Sequence, residues 1–243
     1  MNLLLLALAP GIAISVFIYA RDQYNREPFG HLLASFGLGV LAIIPPLGIQ
    51  LILHPITHKW FYPLNTTLYY FIDAFLIVAL SEELSKYFVL QRYALRKRAF
   101  DEPFDGIVYS VIVSMGFATA ENIGYVLQHG FATGMIRMFM SVPAHACFAV
   151  MMGYYVGKAR FDKHNRDLYI RMGIVLAVVF HGLFDFFLML AADQQIRKNT
   201  SSLLLVAGAI VSYLIAFRYS LKAIQLHRNI SKIKHENSFR TQS

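Results

Sequence analysis

The stretch ALSEELSKYF, residues 79–88, places two glutamates and a lysine inside an otherwise apolar run, with hydrophobic sequence from Leu68 to Leu80 and again from Tyr87 to Leu90. Charge in such surroundings costs free energy, so its placement needs a chemical reason. The surroundings define the class of protein first. The chain has 243 residues, 57% of them hydrophobic and only 15% charged, where a soluble domain carries about 25% charge. About 20 mostly apolar residues cross the roughly 30 Å hydrocarbon core of a bilayer. Seven windows reach that length, at 3–20, 31–53, 67–90, 106–128, 135–156, 169–192 and 201–220. A spanning backbone must satisfy its own hydrogen bonds, so each window is predicted helical. The expectation is an all-α, polytopic membrane protein of about seven transmembrane helices, with residues 1–220 as a single helical domain and 221–243 as a basic cytoplasmic tail.

The first window, LLLLALAPGIAISVFIYA, has no basic region before it, and RDQYNREPFG after it has no small-residue cleavage pattern. It is read as a retained span rather than a signal peptide. Lysines and arginines then give the orientation. Sixteen of them fall in alternate connections and the tail, at Arg21 and Arg26, Arg92–Arg98, Lys158–Arg166 and from Arg218 onward; the other side holds three, Lys59, Arg197 and Lys198. The positive-inside rule puts the N-terminus outside and the C-terminus in the cytoplasm of a multi-pass plasma-membrane protein. The net charge of +8 is therefore topology and attraction to anionic lipid, not nucleic-acid binding. Cys147 is the only cysteine, which excludes an internal disulfide and a cysteine zinc cage.

The connection HPITHKWFYPLNT, residues 54–66, has the aromatic character of a membrane boundary, and His54 and His58 are read as interfacial residues. Pro45, Pro46 and Pro143 fall inside spans, where they kink or unwind a helix. The segment from Leu221 onward reads as a helical extension that frays.

Inside the windows remain Asp73, Glu82, Glu83 and Lys86 on the third, Glu121 on the fourth, Arg137 and His145 on the fifth, and His181 and Asp185 on the sixth. Each charge near the bilayer centre costs about 2.5–3.5 kcal/mol even on lenient scales, so together they face a protein interior. Glu82 and Lys86 stand at i,i+4 in the favourable order, while Glu83 is turned about 100° around the helix. His181 and Asp185 are also at i,i+4, close enough for the carboxylate to orient the imidazole or to share a metal with it. Arg137 either snorkels or pairs with Glu121. Asp73, near the start of its span, is expected to be wetted and stays outside the site.

A desolvated carboxylate can act as general base on a water. Histidines can hold that water, stabilise an oxyanion or ligate zinc, and two histidines with one carboxylate form a known hydrolytic zinc arrangement. His145, His181 and Asp185 are the candidate zinc ligands. No HExxH, GxSxG or serine–lysine pattern is present, so the residue types favour hydrolysis by water over a covalent nucleophile. Two other classes use such clusters: a proton-coupled carrier, and a non-catalytic membrane receptor on the same scaffold. The lack of evident inverted repeats argues against common carrier designs.

Taken together, EELSK at 82–86, FATAENIGY at 117–125, PAHACFA at 143–149, HGLFD at 181–185 and the early RDQYNREP resemble the PrsW family of intramembrane proteases, itself similar to the CAAX prenyl protease and bacteriocin-processing membrane proteins. The resemblance runs from the first span to the sixth. It implies hydrolysis of a peptide bond in a membrane-anchored protein, with an anti-sigma factor cut on its extracytoplasmic side as the family's substrate. Carried onto this chain, it implies Glu82 and Glu83 as the water-activating pair and His145 and His181 as their catalytic partners. Lys86, Glu121, Arg137 and Asp185 support them. Where the CAAX-type relatives carry a histidine in the second motif, this chain has Glu121.

Overall fold

The computed structural model describes residues 3–240, and among these there is no strand. In chain order the helices are α1 (Leu3–Arg21), α2 (Phe29–Leu41), α3 (Ile44–Phe61), α4 (Thr66–Ile72), α5 (Leu80–Arg92), α6 (Pro103–Phe139), α7 (Ser141–Phe161), α8 (Arg166–Ala192), α9 (Gln194–Arg197) and α10 (Ser202–Arg240). A π-helical stretch, Asp73–Ala79, joins α4 to α5.

The centre of the bundle is α6. Every residue from Phe104 to Thr119 is buried, the pattern of a helix surrounded by others on all sides. In a bilayer, apolar contact alone does not draw helices together, so close backbone approach by small residues matters. Gly106 on α6 meets Gly153 and Gly157 on α7 so closely that a Cβ on Gly106 would lie 2.4 Å from the Gly153 carbonyl oxygen. This contact joins the start of α6 to the end of α7, so the two run antiparallel. On another side Asn122 Nδ2 donates to the Ala7 carbonyl at 3.0 Å, fixing α1.

Among the described residues five stretches are long and apolar enough to cross a membrane: Leu3–Arg21, Phe29–Phe61, Pro103–Phe161, Arg166–Ala192 and Ser202–Asn237. The expected window at 67–90 is helical but contains Asp73, Glu82, Glu83 and Lys86, whose charges keep it out of that set. The break between α2 and α3 falls at Ala42–Ile43, directly before Pro45 and Pro46, because a proline ring clashes with the preceding turn and removes a donor.

A boundary differs from the sequence reading in a way that matters for the site. Arg137, expected on the same span as His145, belongs to α6, which runs to Phe139; α7 starts at Ser141, shortly before Pro143. Within α6 the backbone turns at Gly130, with φ 78° and ψ −164°, a region open essentially to glycine alone. Beyond it the chain folds back: Arg137 Nε donates to Asn122 Oδ1 at 3.0 Å, whereas fifteen residues of straight helix would separate them by about 22 Å.

The C-terminal extension does not fray within the described residues. Helix α10 continues to Arg240, with His227 and Ser231 buried; Thr241–Ser243, the end of the expected tail, lie outside the described residues.

Candidate active site

The π-helical stretch carries the chain into α5, whose first turn presents Glu82 and Glu83, both buried. Such wide turns are frequent at functional sites because they re-aim the side chains that follow. Against the stretch lies α8, where Gly182 leaves room for the Phe75 ring; a Cβ there would be 2.5 Å from it. This brings the neighbouring His181 up to the glutamates.

Lys86 is the hub. Its Nζ lies 2.7 Å from Glu83 Oε1 and 3.5 Å from Glu82 Oε2, the i,i+3 and i,i+4 contacts of one helix face. It also stands 3.3 Å from His145 Nδ1 and 4.2 Å above the Phe117 ring. His181 has Nδ1 2.9 Å from Glu83 Oε1 and Nε2 3.1 Å from Asp185 Oδ2. His145 has Nε2 2.9 Å from Glu121 Oε2, and the same oxygen lies 2.9 Å from Arg137 Nη2. The two imidazoles meet edge to face at 5.0 Å, and Phe148 stacks on His181 at 5.1 Å. The sequence-derived set is thus brought together from α5, α6, α7 and α8 without omission.

The paired glutamates stand in different positions. Glu82 lines a cavity of about 930 Å³ together with Glu121, Arg137, His145, His181 and Asp185, whereas Glu83 and Lys86 lie behind that wall. The cavity extends from Glu82 to His54, His129 and Ala192, toward the end of the bundle opposite Arg92. Arg137 pairs with Glu121 rather than snorkelling. Asp73, expected to be wetted, is 4% exposed and 3.2 Å from His54 Nε2, because the α3 face covers it.

Donor atoms of Glu82, His145 and His181 all lie within 4.8 Å of one another. Two imidazoles and a carboxylate are the donor set of an open zinc site, and that part of the expectation fits. The carboxylate within that distance of both imidazoles is Glu82, whose Oε2 lies 3.9 Å from His181 Nε2; Asp185 Oδ2 meets the same nitrogen at 3.1 Å. Four carboxylates (Glu82, Glu83, Glu121 and Asp185) surround Lys86, Arg137 and His181, whose two ring nitrogens each meet a carboxylate.

Sequence reasoning missed Gln50, whose Nε2 donates to Glu82 Oε1 at 3.3 Å, and Asn122, which holds Arg137. A lone amide in the apolar run GIQLIL was the available signal for Gln50.

Fold and site define a polytopic helical membrane protein with a carboxylate–imidazole centre buried among its helices. The chain belongs to the PrsW family: the family described as PrsW family intramembrane metalloprotease matches residues 27–218. It is 38% identical to Protease PrsW of Geobacillus kaustophilus (strain HTA426) over 188 residues, 77% of this chain and 80% of that protein. Protease PrsW of Bacillus subtilis (strain 168) is 38% identical over 182 residues, 74% and 80% of the two chains. Protease PrsW of Clostridioides difficile (strain 630) is 32% identical over 240 residues, 96% and 94%. No solved structure gives a significant match. The chain is accordingly an intramembrane peptidase.

Proposed function

We propose that this protein hydrolyses a peptide bond of a membrane-anchored protein, by a water that Glu82 activates at the wall of the cavity. The observation that carries the reading is the meeting of Glu82, His145 and His181 within 4.8 Å, with Glu82 on the cavity side and Glu83 behind. Glu82 accepts the proton of the attacking water, a role for a positioned carboxylate. His145 and His181 face the scissile carbonyl. Glu83 holds His181 through Nδ1, Asp185 engages its Nε2, and Lys86 balances the two glutamates. Glu121 and Arg137 set the orientation of His145.

A second reading rests on the same three donors: Glu82, His145 and His181 hold zinc. Zinc there would polarise the carbonyl and acidify a bound water. Residues 1–220 form the catalytic domain, and the segment from 221 is a cytoplasmic tail. Seven passes with the N-terminus outside fit the antiparallel α6–α7 pair and the helical path from Thr66 to Arg92. With that orientation in the plasma membrane, the cavity opens to the extracytoplasmic side, which suits an anti-sigma factor cut there.

The test is N-terminal peptide profiling of membranes containing wild-type or Glu82→Gln protein at equal abundance, with metal content measured on the purified chains. New termini lost in the variant support the protease. Zinc bound by wild type and lost in Glu82→Gln and His145→Ala selects the metal reading; full activity after chelation selects Glu82 as the base. Identical termini in both membranes, together with proton flux in liposomes, would replace the protease with a carrier.

A further inference from the structure

At the other end of the bundle lies a second acidic cluster that the peptidase chemistry does not use. Asp22 and Glu27, in the connection between α1 and α2, meet Glu102 and Asp105 at the start of α6; none of the four is more than 3% exposed. Each commits part of its carboxylate to the local backbone or to a neighbour. Asp22 Oδ2 accepts from Glu27 N at 2.9 Å. Glu27 Oε2 accepts from the Tyr109 hydroxyl. Asp105 Oδ2 accepts from the amides of Asp101 and Glu102 at 2.9 and 2.8 Å, and Glu102 closes the reciprocal cap.

The remaining oxygens, Asp22 Oδ1, Glu27 Oε1, Glu102 Oε1 and Asp105 Oδ1, are buried without a hydrogen-bond partner. The Glu27 carboxyl lies against the Asp105 side chain and the Glu102 carboxyl against the Ser231 hydroxyl, neither in hydrogen-bond geometry. Four orphaned acceptors in one place are far from the usual near-complete satisfaction of buried polar atoms. Among the described residues no lysine or arginine forms an ion pair with any of them. The nearby Arg26 and Lys234 instead donate to the backbone carbonyls of Asp22, at 3.0 Å, and Asp101, at 2.7 Å.

Oxygens of Asp22, Glu102 and Asp105 lie within 4.8 Å of one another. Calcium–oxygen bonds of about 2.3–2.6 Å place opposite ligands roughly 5 Å apart, so a single ion can touch all three. We propose that Asp22, Glu102 and Asp105, with Glu27 beside them, bind one hard divalent cation of calcium size through oxygen ligands alone, fastening the α1–α2 connection to the start of α6. Oxygen-only donors select against zinc, which separates this site chemically from the Glu82–His145–His181 centre.

The experiment uses the full chain in detergent, stripped with chelator and titrated with terbium, for which the Tyr109 phenol is the sensitising chromophore. The expected result is tyrosine-sensitised emission that calcium displaces, together with a calcium-dependent rise of several degrees in Tm at constant ionic strength. Both should persist in His145→Ala/His181→Ala and vanish in Asp22→Asn/Asp105→Asn, in which the amide oxygens still accept the backbone hydrogen bonds. Should that variant fail to fold, Tyr109→Phe serves instead: emission falls while the calcium shift in Tm remains. Absence of emission from wild type, or emission unchanged in the carboxylate variant, overturns the site. So does a stripped protein that ignores calcium and is stabilised only by acid, which would mean carboxyl groups sharing protons.

Discussion

Nδ1 of His181 stands 2.9 Å from Oε1 of Glu83, the oxygen that also takes the Lys86 ammonium at 2.7 Å. Glu83 is therefore occupied on both counts, and Glu82 alone of the pair meets the cavity. Loss of a general base typically lowers turnover by about 10²–10⁴, and loss of a partner that orients a histidine by about 10–100-fold. Glu82→Gln is expected to fall in the first range and Glu83→Gln in the second, measured as initial cleavage rates on a common membrane-anchored substrate. Equal losses would contradict the division of roles.

Lys86 is 2% exposed and balances two carboxylates that are themselves buried. Removing one partner of a buried pair costs about 3–5 kcal/mol because a charge is left uncompensated. Lys86→Met should destabilise by that amount in thermal unfolding, and adding Glu83→Gln should recover part of it. An additive double variant would show that the contact carries no coupling.

Arg137, Glu121 and His145 form a chain through one carboxylate oxygen. Residues in one network give non-additive effects of about 0.5–3 kcal/mol. Arg137→Gln and Glu121→Gln should each slow cleavage by roughly 10-fold or more, and the double variant should be little worse than either. Multiplying losses would place the two residues in separate functions.

Gly130 holds φ 78° and ψ −164° where α6 folds back. Placing a Cβ there costs about 1–3 kcal/mol, although the surrounding space is open. Gly130→Ala should lower stability by that amount and loosen Arg137 from Asn122, reducing cleavage while the acidic cluster at the other end keeps its cation response. Unchanged Tm and activity would remove the turn from the account.

Burial raises the Asp22 carboxyl to about 6 and those of Glu27 and Glu102 to about 7. The folded chain then holds protons that the unfolded chain has released, so this contribution is complete below about pH 4 and is lost as pH rises through 6 to 7. Chelated protein should show a Tm that declines from pH 5 to 8, and saturating calcium should flatten the decline. A Tm that rises over this interval in chelator would contradict the burial of these groups.

Much of the site was legible in the sequence because charge is costly in an apolar span: Glu82, Glu83, Lys86, Glu121, His145, His181 and Asp185 stand out by that cost alone. Helical spacing gave the Glu82–Lys86 and His181–Asp185 contacts, both local. Gln50 escaped because an uncharged amide is only weakly penalised in such a run. Arg137 was placed on the wrong helix because a single glycine, not a change of composition, reverses the chain. Asp73 was expected in water because its cover comes from α3, distant in sequence.

The length of the apolar runs and the charges set inside them determined an all-helical membrane protein and its set of candidate residues, since both follow from transfer free energies that each residue carries by itself. Which oxygen faces the cavity, which carboxylate joins the two imidazoles, and how Asp22 and Glu27 come to meet Glu102 and Asp105 were decided only by the tertiary structure. Those relationships depend on how separate helices approach and turn, through contacts such as Gly106 with Gly153 and the reversal at Gly130, and helix-to-helix geometry is not a property of any one segment.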